Sequence, residues 1–249
     1  MSLNLDWVRG RLPGRRIEWL DRTGSTMLEA ARLAAEGCPS GTVVGAEEQT
    51  AGQGRLGRSW HSEPGAGLYF SVVFRLAIPP AQLPVLTLAL GLAAADAVRL
   101  LGGTPCDLRW PNDVLIGDKK VAGILVQLHG SAVVAGIGLN VNQESFPPEL
   151  ADIATSLRLE SGCEHQREAL LVYLLSSIDS FVKVLVTSGV EPILQAFENR
   201  STYVRNRHVI VDSGISGITD GLTPAGFLVL KRDDGTRETI LAGGVRPCS

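Results

Sequence analysis

QTAGQGRLGRSW, residues 49–60, sets three glycines, two arginines and a tryptophan within twelve positions. Gly52, Gly54 and Gly57 free the backbone to approach a ligand or to take positive φ, while the forks of Arg55 and Arg58 suit a carboxylate or a phosphate. The stretch reads as a loop built to hold an anion, although glycine and arginine also mix in solvated surface loops. Its flanks decide the fold. Residues 42–47, TVVGAE, have the β-branched content of a strand, and residues 68–75, LYFSVVFR, read as a buried strand, so the loop is strung between two strands.

Working outward, residues 16–20 predict a short strand, after which Ser25 or Thr26 caps the helical pattern MLEAARLAAEG; Gly37 and Pro39 stop it. Pro79, Pro80 and Pro84 break the chain ahead of a core helix over 85–101. DLRW, residues 107–110, is a short strand ended by Pro111, with Asn112 and Asp113 at its tip. Residues 114–128, VLIGDKKVAGILVQL, form a β-hairpin signal. Lys120 opens its second strand, either as a solvated lysine or as a fixed charge directed from the sheet into a cleft.

The strand over 131–142, SAVVAGIGLNVN, brings Gly136 and Gly138 to one face, with Asn140 continuing it. Such bare backbone admits a close approach, but this GxG opens no helix, unlike a dinucleotide fingerprint. A polar turn at 155–157 leads to amphipathic helices over 167–187 and 191–199. Beyond Arg205 short β-rich runs alternate with glycine turns, as in a small barrel. About 45 residues bury too little to stand alone, so this piece is expected to dock on the rest. The boundary is set near Tyr203, giving domains 1–203 and 204–249.

The bulk properties fit one large core with an appendage: 249 residues, 45% of them hydrophobic. A net charge of −3 and a pI near 5.8 argue against a protein living on nucleic-acid phosphates. Cys38, Cys106, Cys163 and Cys248 are scattered without a CxxC, as are His61, His129, His165 and His208, so neither a disulfide framework nor a metal site is legible. The charged N-terminus lacks the pattern of a signal peptide, and the near-apolar run 85–95 is too short to span a membrane. A cytoplasmic protein without membrane attachment is expected.

Four stretches now combine: GSTM from Gly24, QTAGQGRLGRSW from Gln49, LRWPNDVLIGDKKVAGIL from Leu108 and GIGLN from Gly136. In this order and spacing the chain resembles biotin protein ligases over nearly its whole length. The resemblance implies an α+β fold: a mixed, largely antiparallel central sheet with helices packed on it, plus a small C-terminal SH3-like β-barrel. It implies ATP and Mg²⁺ as cofactors, biotin as substrate, biotinyl-5′-adenylate as intermediate and a lysine of a biotin carboxyl carrier protein as acceptor. A homodimer is compatible with it.

Carried over residue by residue, the resemblance implies that Ser25, Thr26 and Gln49 grip the ureido ring, with Met27 beside them. Gly52, Gln53, Gly54 and Arg55 would wrap the biotin tail and phosphate, and Gly123 would leave the ligand room. Lys120, which would also bind biotin beside its carboxylate and the α-phosphate, and Arg55 would be the catalytic cations, since a carboxylate attacking a phosphate needs positive charge where two anions meet. Arg58, Trp60, Asn112, Asp113 and Asn140 would join Arg55 and Lys120 around ATP. The loop would be a lid, loose when empty and closing over the adenylate to exclude water.

Two positions depart from the family pattern: Gln53 replaces the first arginine of the GRGR run, and Arg109 replaces the lysine before Trp110. Only about 24 residues precede Ser25, so a ligase without an N-terminal helix-turn-helix, and without specific DNA binding, is expected. Two alternatives stay open: a lipoate or octanoate ligase or transferase of the same fold, and a biotin or adenylate binder without transfer activity.

Overall fold

Asn4 caps a first helix, α1 (Leu5–Arg11), by accepting from the Trp7 N–H, and the chain then enters β1 (Ile17–Thr23). In the computed structural model, which describes residues 2–248, β1 is the edge of a seven-stranded sheet. It runs parallel to β2 (Val43–Gln49), so the chain must cross back between them, and α2 (Thr26–Ala35) makes the crossing. All later pairings are antiparallel: β3 (Leu68–Phe74), β4 (Asp107–Arg109), β5 (Asp113–Ile116), β6 (Lys119–His129) and β7 (Ala132–Leu139) complete the order β1-β2-β3-β7-β6-β5-β4.

Alternation of side chains divides this sheet into two faces. Val43, Val72, Val133 and Ala135 look into the main core, which they share with α3 (Leu83–Leu101), the short α4 (Leu157–Ser161), α5 (Arg167–Ser188) and α6 (Glu191–Arg200). Met27, Ala30 and Leu33 of α2 pack on the opposite face, against Val44, Val73, Ala132 and Val134. Counting by two from those residues brings Ser71, Gly136 and Gly138 to the α2 face as well. Gly123 joins them, because it pairs with Gly138 across β6 and β7. A bare patch of sheet therefore begins where the packing of α2 ends.

Both α3 and α5 are long and apolar enough to cross a membrane by length and composition alone, yet they pack in this core. α3 is apolar round most of its circumference because it is enclosed by α5, α6 and the sheet. A buried ion pair ties α5 to the sheet: Arg167 Nη1 lies 2.8 Å from Glu47 Oε2, while Glu47 Oε1 accepts from Leu3 N–H and Trp19 Nε1, each at 2.9 Å. Removing one partner of such a pair typically costs about 3–5 kcal/mol.

The second sheet holds β8 (Arg205–Val211), β9 (Ser216–Leu222), β10 (Leu228–Lys231), β11 (Arg237–Ile240) and β12 (Val245–Pro247), antiparallel in the order β11-β10-β9-β8-β12. Val209, Val211, Leu228, Leu230, Ile240 and Val245 are buried in one cluster with the main core, so this piece does not rely on a core of its own. Trp110, whose peptide bond to Pro111 is cis, donates from Nε1 to Gly226 O at 2.9 Å across the junction.

Local expectations fail at several places. α3 starts at Leu83 rather than Val85, because Pro84 falls in its first turn, where no N–H is needed. The expected polar turn holds α4, which Ser156 caps by accepting from Leu159 N–H at 3.1 Å and which left-handed Gly162 ends. The expected hydroxyl cap of α2 is absent: Ser25 stands at the N-cap position, but its Oγ makes no cap bond.

Candidate active site

What replaces that cap builds the floor of a cleft. Gln49, at the end of β2, points its Oε1 at the start of α2 and accepts from Thr26 N–H at 2.9 Å and from Thr26 Oγ1 at 3.0 Å. Thr26 has one hydroxyl proton, so in its 2.9 Å contact with Ser71 Oγ the serine is the donor. Gln49 Nε2 in turn donates to Ser62 Oγ at 3.2 Å. Four uncharged polar side chains are thus locked into one network. Beside them Ser25 Oγ is buried with no partner among the described residues.

The glycines of β6 and β7 form the adjoining wall. A Cβ on Gly136 would come within 2.7 Å of Met27 Sδ, one on Gly138 within 2.3 Å of the Trp60 ring, and one on Gly123 within 2.7 Å of Lys120 Nζ and 2.9 Å of Trp60. Only glycine lets the indole and the lysine lie flat on the sheet here. Trp60 Nε1, like Ser25 Oγ, is buried without a partner among the described residues. The cleft bounded by these groups spans about 420 Å³, the open solvent at its mouth included.

Its rim is charged. The glycine-arginine loop folds back on itself: Gln53 bridges Ser59, Gly54 N–H donates to Arg58 O at 2.7 Å, and the turn runs through Leu56 and Gly57 at φ 55° and 74°. Arg55 extends from this turn to Asn112 Oδ1 at 3.2 Å, and Asn112 is itself fixed to β6 by Nδ2 donating to Ile124 O at 2.8 Å. Burial lowers the Arg55 pKa from its ordinary value, against the opposing pull of Asp113. An arginine begins so high that it stays cationic at neutral pH.

Asp113 sits between two cations. Its Oδ1 is 2.6 Å from Lys120 Nζ and its Oδ2 is 2.7 Å from Arg109 Nη2. Burial pushes the carboxyl up, but Lys120 and then Arg109 more than offset it, so Asp113 lies below its ordinary pKa and is ionised. The Lys120 ammonium also stands 5.3 Å from the Trp60 ring centroid. Its backbone is held from behind, with Lys120 N–H donating to Ile153 O at 2.8 Å and Thr155 N–H to Lys120 O at 3.0 Å. Lys120 is therefore a placed charge with donors to spare.

Of the residues singled out in the sequence, the cleft brings together Thr26, Met27 and Gln49 on the floor. Gln53, Gly54, Arg55 and Trp60 come from the loop, and Asn112, Lys120 and Gly123 from the hairpin. Ser25 and Gly52 lie behind this lining; Gly52 O accepts from Trp60 N–H at 2.8 Å. Arg58 is not part of the lining and pairs with Asp212 of the second sheet, and Asp113 reaches the cleft through Lys120. Asn140 lies one residue past β7 and outside this lining; it is buried and donates from Nδ2 to Thr155 O at 2.9 Å.

Sequence reasoning missed Ser62, Ser71 and the apolar lining of Phe70, Ile124, Leu125 and Ile137. Ser71 left one signal, as the lone polar residue inside LYFSVVF. Among the described residues no group of three or more His, Cys, Asp or Glu side chains could hold a metal ion.

A model of the biotin/lipoate A/B protein ligase family matches residues 19–144. The chain is 35% identical over 239 residues to a biotin acetyl-CoA-carboxylase ligase of Mycobacterium tuberculosis, covering 92% of this chain and 88% of that one. It is 34% identical over 246 residues to the bifunctional ligase/repressor BirA of Bacillus subtilis, covering 94% and 75%. In three dimensions it is similar to the biotin protein ligase of Aquifex aeolicus solved in complex with biotin and ATP. The TM-score is 0.83 at 32% identity, over 94% of this chain and 99% of that one.

Proposed function

The chain belongs to the biotin/lipoate A/B protein ligase family, and from that premise we propose how its cleft performs the two steps of protein biotinylation. It is an ATP-dependent biotin ligase. In the first step a biotin carboxylate oxygen attacks the α-phosphorus of ATP, the bond to the β-phosphate oxygen breaks, and pyrophosphate leaves. In the second, the amine of a carrier lysine attacks the acyl carbon of biotinyl-5′-adenylate, AMP departs, and the lysine loses a proton as the amide forms.

One observation supports this reading above the others: a buried, uncharged hydrogen-bonding floor lies beneath a cationic rim. A cyclic urea is neutral and offers two N–H donors and a carbonyl. Ser25 Oγ, the Thr26 hydroxyl and the Gln49 amide are groups of matching type, and Ser25 Oγ has no partner among the described residues. Arg55 and Lys120 then stand where the acid function and the phosphates meet, stabilising charge that develops between two anions. Asp113 does not attack; it orients Lys120.

Trp60, lying across Gly123 and Gly138, would stack on the bound acyl-adenylate. Gln53 lines the cleft without a charge, and we assign it a backbone role in the loop. Magnesium would enter with the nucleotide, whose phosphates supply most of its ligands. Residues 1–203 would carry this chemistry and residues 204–249 the second, smaller domain. We assign a lysine of a biotin carboxyl carrier protein as the acceptor and the cytoplasm as the compartment.

Pyrophosphate release with biotin, lipoate or octanoate, followed by mass spectrometry of a carrier domain, tests the assignment. Biotin alone is expected to drive release and add one biotinyl group. A floor built to bond a ureido group rejects a ligand lacking it by up to about 10⁴-fold. Activation of lipoate in place of biotin would overturn the reading.

A further inference from the structure

The second sheet grips both arginines of the glycine loop. Arg58 Nη2 donates to Asp212 Oδ2 at 2.9 Å, and Arg55 Nη1 reaches Gly243 O at 3.4 Å. Asp212 is itself fixed from two further sides: Gly244 N–H donates to Oδ2 at 2.8 Å and Arg246 Nη2 to Oδ1 at 3.0 Å. Its own N–H donates to Gly244 O at 3.1 Å. A Cβ on Gly244 would stand 3.2 Å from Asp212 Oδ2, a tight contact that shows how closely this backbone approaches the carboxylate. The Asp212 side chain is 18% exposed, whereas Arg58 is 63% exposed.

An exposed ion pair by itself contributes little to stability, and Asp212 has a different use. A guanidinium has five donors in a rigid fork. Asp212 engages only Nη2 among the contacts described, which leaves Nη1 and Nε of Arg58 open to solvent or a ligand while the fork is anchored. The loop turn transmits that placement, since Arg58 O accepts from Gly54 N–H immediately beside the cleft.

We propose that Asp212 is a positioning residue for adenylation: it orients Arg58 toward the phosphates of ATP, so that the second sheet completes the nucleotide side of the cleft. This rests on reading the cleft as the biotinyl-adenylate site. It separates nucleotide binding, which needs the second sheet, from biotin binding, which needs only the floor.

The test uses the full chain with Asp212→Ala and Asp212→Asn, the latter keeping an acceptor for Gly244 N–H. In biotin-dependent pyrophosphate exchange both variants are expected to raise KM for ATP by about ten-fold, the usual scale for one charge-assisted hydrogen bond. KM for biotin should stay within about two-fold. In ligand-free protein, trypsin should cut after Arg58 several times faster than in wild type. An unchanged KM for ATP in the folded Asn variant, equal rises in both KM values, or unchanged trypsin cleavage would overturn the proposal. Failure of the Asn variant to fold would also overturn it, by making Asp212 a structural residue. A wild-type chain that exchanges no pyrophosphate with biotin sinks the functional reading instead, while the trypsin arm, which needs no ligand, still reports whether Asp212 holds the loop.

Discussion

The floor and the rim of the cleft are built by opposite means. The floor joins Thr26, Gln49, Ser62 and Ser71, all uncharged, through short bonds between α2, two adjacent strands and the segment that links them. The rim joins Arg55, Lys120, Asp113 and Arg109, all charged, and its loop is tied by Arg58 to a second sheet. Neutral groups in a dry pocket discriminate shape and hydrogen-bond pattern, because each unmatched group costs about 1–3 kcal/mol. Cations at a half-open rim discriminate little, but they lower the barrier where charge develops. The division predicts that floor variants fail in binding biotin and rim variants fail in chemistry.

Lys120→Ala tests the rim hardest. Adenylate formation, followed by pyrophosphate exchange, should fall by about 10²-fold or more, with biotin affinity close to wild type. The fold should survive, since Asp113 keeps Arg109 as a partner. Turnover near the wild-type rate would remove Lys120 from the mechanism. Thr26→Val tests the floor with less force. It keeps the shape, removes the hydroxyl shared by Gln49 and Ser71, and should weaken biotin binding about ten-fold, as for one buried hydrogen-bonding group. Calorimetric titration measures it; an equal loss for ATP would erase the distinction between floor and rim.

The two regions also differed in how far the sequence revealed them. The rim was legible because glycine, arginine and the hairpin lysine sit in short runs whose chemistry is local. The floor was only half legible. Ser25 and Thr26 announce a helix cap by their local pattern, yet the oxygen that reaches Thr26 N–H belongs to Gln49, 23 residues away, and arrives only because β1 and β2 pair in parallel. Gly136 and Gly138 were correctly placed on one face, but that Gly123 stands opposite Gly138 is a fact of register between strands. α4 and α1 were missed despite local signals, Ser156 and Gly162 for the one and Asn4 for the other, because each helix is too short to show a period. The Asp212 contact spans 154 positions and no local rule foretells it.

The smallest effect concerns the carboxylate that the rim needs to stay ionised. Asp113 has a folded-state pKa below its ordinary value of 3.8, held there against burial by Lys120 and Arg109. A depressed carboxylate contributes stability that is fully present above the unfolded value and is lost as pH falls through the folded one. Across the neutral range the contribution is therefore constant, and no limb of the pH–rate profile above about pH 5 should belong to Asp113. Asp113→Asn leaves the two cations without their shared anion, and at neutral pH should lower stability by about 1 kcal/mol, the partly exposed neighbours turning to water instead. Thermal melts of both chains at pH 7 and pH 3 should show the gap between them narrowing at the lower pH, because the unfolded wild-type carboxylate takes up a proton that the folded one resists. A gap that widened on acidification would mean that Asp113 is raised rather than depressed in the folded chain, and Lys120 would then be held by something other than its charge.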